Sequence, residues 1–251
     1  MTKFNSQTGE RAYGLGARQV VAVERAIPAR MNNSGAALVI ALMAMLLLLA
    51  LGLMLVLSTA AETLIAGHFR TGQEAFYAAD AGLERVIDEL AGVADWNSVL
   101  QGTRRSAFTD GSPSGVRTLS DGSAINLTGA TNVLNCGHAG ACTPPEMDAS
   151  TATRPWGANN PRWCLFAYGP LSAMVPTGTI NSSVYVAVWV SDDASENDAD
   201  PTSDTDDPSI PASGVVTVHA EAFGPGGTHR ALEATVGRRQ GGIRVIAWRE
   251  L

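Results

Sequence analysis

The sequence predicts an α+β fold: one long N-terminal helix, half of it membrane-spanning and half amphipathic, packed on an antiparallel β-sheet head. Three observations predict it. Residues 31–61 hold no charged side chain, and residues 36–57 read AALVIALMAMLLLLALGLMLVL. Helical periodicity then continues to about Ala91, with no proline between Ala29 and Pro113. Strand-like runs and a Gly-Pro-Gly-Gly turn fill the final third.

The apolar run comes first. At 1.5 Å per residue, residues 36–57 make a helix of roughly 33 Å, enough to cross a bilayer core. Arg18, Arg25 and Arg30 precede it, and the first charge beyond it is Glu62. The positive-inside rule therefore sets the N-terminus in the cytoplasm and the head on the exported side. An ordinary secretory signal has a shorter apolar region and a small-residue cleavage site, which residues 57–61 provide only weakly.

The second half of the helix follows without a turn. Ile65, Phe69, Phe76, Ala79, Leu83, Val86, Ile87 and Leu90 recur at three- and four-residue steps, with charged residues between them. Gly52, Gly67, Gly72 and Gly82 weaken the helix locally, so a bend or a melted stretch is compatible with the sequence. The expected organisation is residues 1–35 as a leader, 36–57 as the membrane helix, 58–92 as its amphipathic continuation and 93–251 as the head.

In the head, residues 93–160 are irregular, with one strand over 124–127. Residues 162–168 (RWCLFAY) and 184–190 (VYVAVWV) read as buried strands, rich in β-branched and aromatic side chains. Residues 215–223 and 228–236 flank the Gly224–Gly227 turn, and 243–248 adds a last strand.

Charge excludes one class of partner. The net charge is −7 although residues 1–35 are basic, so the head is acidic and nucleic acid is not an expected partner. Catalysis finds no support either. The four histidines stand in no nucleophile or zinc-protease motif, and no Walker or dinucleotide loop occurs. His219 and His229 are placed to face each other across the last hairpin, a common structural pairing.

Two candidate sites remain. Residues 191–207 (SDDASENDADPTSDTDD) carry the oxygen ligands calcium prefers, with Asp198, Asp200, Asp204 and Asp206 as candidates. The spacing is not that of an EF-hand, and a solvated, self-repelling loop explains the composition equally. No other cofactor is expected. Cys136 and Cys142 are spaced to close a small disulfide loop on an exported head; the alternative joins them to His138 and Cys164 as a metal site.

Ser34-Gly35-Ala36-Ala37-Leu38-Val39-Ile40-Ala41 at the start of the helix, and Ala75-Phe76-Tyr77-Ala78-Ala79-Asp80-Ala81-Gly82-Leu83-Glu84 in its second half, resemble the type IV pilin superfamily, more narrowly the PilX-type minor pilins. GPGGTHRALEATV is similar to the closing hairpin of such subunits. The resemblance implies a pilin-like fold and a leader cut between Gly35 and Ala36 by a prepilin peptidase, with methylation of Ala36. Met31 offers a second start that shortens the leader. Major pilins carry a glutamate at the fifth mature position, where this chain has Ile40, as suits a low-abundance subunit.

The implied function is a structural minor pilin that helps initiate or cap a type IV pilus near its tip. Its helix, with Ala36, Ile40, Leu47, Gly52 and Leu57, would pack in the filament core. The implied partners are other minor pilins, the major pilin, a PilY-type tip adhesin and the inner-membrane assembly platform. The implied location is the bacterial inner membrane, single pass, with the head in the periplasm before assembly into a surface pilus serving motility, adhesion or DNA uptake. The rivals are a type II secretion pseudopilin and a signal-anchored periplasmic binding or adhesion domain.

Overall fold

The computed structural model describes residues 34–251 except 176–179, 197, 206, 208, 240 and 241. The expected leader, its basic flank and the Met31 start lie outside the described residues, apart from Ser34 and Gly35. The chain divides into two units, residues 1–56 and 57–251, and the first helix contributes to both.

In the first unit the described residues are all helical, the start of α1 (Ser34–Ala91). Leu, Ala and Met dominate it, which are strong helix formers. No assigned break interrupts α1 at Gly52, Gly67, Gly72 or Gly82.

The second unit holds the rest of α1 and the head. A single turn, α2 (Asn97–Leu100), follows the long helix. Then come the short hairpin β1 (Val116–Thr118) and β2 (Ala124–Asn126), the helix α3 (Leu127–Cys136) and the turn α4 (Pro144–Met147). The main sheet follows as β3 (Cys164–Pro170), β4 (Tyr185–Asp192), β5 (Val215–Phe223), β6 (His229–Arg239) and β7 (Gly242–Glu250). Its order is β3-β4-β5-β6-β7 and every neighbouring pair is antiparallel, a meander in sequence order.

The sheet is covered on both faces. Val186, Val188 and Val190 of β4 join Val216, Val218, Ala220, Leu232 and Ala234 against Ala75, Ala79, Leu83, Val86 and Leu90 of α1. Their neighbours Tyr185, Ala187 and Trp189 point to the opposite face, where Leu119, Ile125 and Leu127 cover them. Strand alternation thus explains why VYVAVWV is apolar throughout: odd and even positions meet different layers. Trp189 Nε1 donates to Thr131 Oγ1 of α3 at 2.8 Å, satisfying the buried indole.

Three expectations need correction. Residues 127–136 form a helix, not irregular chain; Asn126 caps it by accepting from Gly129 N, and Gly137 ends it in the left-handed conformation. Ile65 and Phe69 are exposed at 68% and 69%, because the core face of α1 begins only at Gly72, where sheet residues first cover it. Finally, His219 and His229 do not face each other: the register sets His219 opposite Glu233 and His229 opposite Phe223.

Candidate functional site

The largest exposed apolar surface lies on α1. Every residue from Gly35 to Arg70 is exposed, including Ile40 at 68%, Leu47 at 65% and Leu57 at 70%. Among the described residues this is the one helix long and apolar enough to cross a membrane. So much bare Leu, Met and Val is unstable in water and calls for lipid or other helices around it. A Cβ on Gly35 or Gly52 would meet nothing, so those positions are open to a partner backbone. Ala36 belongs to the same exposed stretch, and no carboxylate stands at Ile40.

From Gly72 onward the same helix is buried along one side. Ala75, Ala78, Ala79 and Gly82 are small, and the sheet comes close to them: a Cβ on Gly82 would lie 2.6 Å from Val186 Cγ1. The Ala-Phe-Tyr-Ala-Ala-Asp-Ala-Gly run therefore builds a shallow helix face on which the valines of β4 sit. Polar bonds fix the same contact. Glu74 accepts from Ser182 Oγ at 2.5 Å, and Arg85 reaches Met174 O at 3.2 Å while pairing with Glu89 at 3.0 Å. Arg238 of β6 donates to Ala94 O and Val93 O and stacks 4.2 Å over Trp96, tying down the end of the helix.

The cysteine loop lies on the other side of the sheet, after α3. Cys136 and Cys142 stand with Cα atoms 5.9 Å apart in a disulfide, which leaves neither sulfur to a metal. Cys164 is not brought to them; its thiol donates to Leu100 O at 2.7 Å, and burial raises its pKa. His138 Nε2 meets Glu146 Oε1 at 3.3 Å, and Glu146 in turn caps α4 through Thr143.

The two strand histidines share one carboxylate. Glu221 meets His219 Nε2 at 3.0 Å and His229 Nε2 at 3.2 Å, while Glu233 lies 3.7 Å from His219 Nδ1. Burial opposes a charged His219 ring, but the bond to Glu221 and the nearness of Glu233 outweigh it and raise its pKa. Burial likewise opposes the charge on Glu221, yet the two imidazoles pull it down to about 2. Cross-strand register explains the cluster, since His219 opposes Glu233 and Glu221 follows on the same face.

In the acidic loop the structure gathers a different set from the one expected. Asp198 and Asp200 serve local turns, accepting from Asp200 N and Thr202 Oγ1, and Asp206 lies outside the described residues. Of the expected acids among the described residues, Asp204 alone turns inward, and there it meets Asp192 at the end of β4 and Glu196. Composition could not separate these from the other acidic residues. The available signal was position: Asp192 closes a strand buried on both faces.

Residues 34–84 match the family model described as PilX N-terminal. The match begins at the start of α1, takes in the apolar run and the small-residue face, and ends just before Arg85. This stretch is similar to the N-terminal segment of PilX-type pilins, a likeness that supports a minor pilin role in a type IV pilus. No curated protein and no solved structure matches the chain.

Proposed function

We propose that this chain, with its PilX-type helix, is a structural minor pilin that helps start or cap a type IV pilus near the tip. One observation carries the proposal: α1 is wholly exposed from Gly35 to Arg70 yet buried along one side from Gly72 to Leu90. The buried part holds the helix to the head. The exposed part is free to exchange lipid for neighbouring pilin helices, through van der Waals contact at Ala41, Ala44, Ala50 and Gly52.

The leader is cut between Gly35 and Ala36, and Ile40 removes the buried carboxylate that bulk subunits carry, as suits a chain used in few copies. A carboxylate inside hydrocarbon is costly unless paired. Other pilins are the partners, and the inner membrane holds the chain, head outward, until it is assembled. Sheared surface filaments test the proposal directly. Blots should find the chain in the filament fraction at low abundance beside the major pilin. Its complete retention in the membrane fraction of a piliated strain would overturn the assignment.

A further inference from the structure

We propose that Asp192, Glu196 and Asp204 form a binding site for a hard divalent cation, calcium, which clamps the acidic loop to the end of β4. The three side chains are nearly or fully buried, at 2%, 0% and 7% exposure. One oxygen from each lies within 4.8 Å of the others. Asp192 Oδ1 and Glu196 Oε2 are buried without a hydrogen-bond donor, and among the described residues neither side chain pairs with Lys or Arg. Carboxylates this close and this dry repel one another, and those two oxygens lack the donors water would supply. The site calls for positive charge.

The surrounding bonds hold the cluster open rather than neutralise it. Thr205 N donates to Glu196 Oε1 at 2.9 Å, and Gly214 N donates to Asp204 Oδ1 at 2.7 Å. Asp204 N donates to Asn97 Oδ1 at 2.6 Å, so α2 positions that residue. Asn159 Nδ2 donates to Ala194 O at 2.8 Å and to Glu196 O at 2.5 Å, fixing the turn that carries Glu196. Four separate stretches of chain therefore position three acids, one oxygen of each within 4.8 Å of the others. Donors on that scale are excessive for a solvated loop and suit a built site.

The donor set names the class of ion. Every candidate ligand is a carboxylate oxygen, which selects calcium or magnesium over zinc or copper. Magnesium demands near-octahedral geometry and retains its waters. Three buried acids, one at a strand end and two in the loop, suit the less demanding geometry of calcium, and extracellular calcium modules bind with dissociation constants of about 10⁻⁴–10⁻³ M.

A shared proton is the competing way to discharge the cluster. Burial, reinforced by Glu196, Asp204 and Asp198, pushes Asp192 up to about 9; burial and the nearby Asp204 and Asp198 push Glu196 up to about 7. Calcium must displace those protons, so the two occupants can be told apart.

The test uses the full chain in detergent, freed of metal by a chelator, with calcium chloride as the probe. Calorimetry at slightly alkaline pH should give one saturable event and proton release on binding, and Tm should rise with calcium. Asp192→Asn and Glu196→Gln should each weaken binding at least tenfold and abolish the Tm rise. Asp200→Asn, in the same loop but outside the cluster, should change neither. If a cluster variant fails to fold, the wild type decides alone through its calcium-dependent Tm and heat. No saturable heat and an unchanged Tm at about 10 mM calcium, well above that affinity range, would overturn the site and leave the acids to a shared proton. The inference is independent of the pilus proposal.

Discussion

Gly82 of α1 and Val186 of β4 approach so closely that a methyl group on the glycine would stand 2.6 Å from Val186 Cγ1 and 3.2 Å from Val188 Cγ2. Both valines are fully buried and stiff at χ1, so neither can swing aside. Gly82→Ala gains up to about 1 kcal/mol of helix propensity. Overpacking a core costs about 1–3 kcal/mol, so the clash should win and stability should fall. Chemical unfolding of the solubilised chain reads this. Coupling to Val186→Ala in a double-mutant cycle should recover part of the loss; purely additive effects would argue against the contact.

The helix and the sheet were legible because each writes a long periodic signal. Residues 36–57 and the strands β4, β5 and β6 could hardly read otherwise. What failed was short or relational. LTGATNVLNC has a Gly and three β-branched residues in ten, weak helix formers, so α3 is visible chiefly through its caps, Asn126 and Gly137. Ile65 and Phe69 continue the apolar rhythm of α1, yet whether a sheet lies over them depends on the extent of the head. The acidic cluster joins Asp192 to Asp204 across a loop of near-identical residues, and only the fold distinguishes inward from outward.

The histidine pair gives a pH prediction. A histidine whose folded pKa is raised contributes stability that is fully present below its unfolded value, about 6.5, and fades as pH rises through the folded value. For Glu221, lowered to about 2, the contribution is present above about 4.5 and is lost as pH falls toward 2. Glu221→Gln should therefore cost about 1–3 kcal/mol near pH 6, where both charges coexist. The gap to wild type should narrow at strongly acid pH and again as pH rises past the folded His219 value. Thermal melts across pH would show it, and a gap constant from pH 3 to 9 would contradict the pairing.

Thiol labelling addresses the cysteine loop. In the unreduced, denatured protein Cys164 should react and Cys136 and Cys142 should be blocked, giving one label; after reduction, three. Three labels without reductant would mean that the Cys136–Cys142 loop is open.

Mass spectrometry of the membrane-extracted chain should find an N-terminus at Ala36 carrying one methyl group. An N-terminus after Ala61 would mean a cleaved secretory signal and would remove the anchor on which assembly depends.

Pilus number tests the central claim most directly. A charge at the middle of a membrane helix costs about 3 kcal/mol on insertion and would disrupt packing against other helices. Electron microscopy of cells carrying Leu47→Asp should show surface pili reduced about as severely as in the deletion strain, with the major pilin still accumulating in the membrane. A neutral change at the exposed Asp200 should leave pilus number unchanged. Normal piliation in both the Leu47→Asp and deletion strains, with no second copy of the gene, would contradict a role in starting or capping the filament.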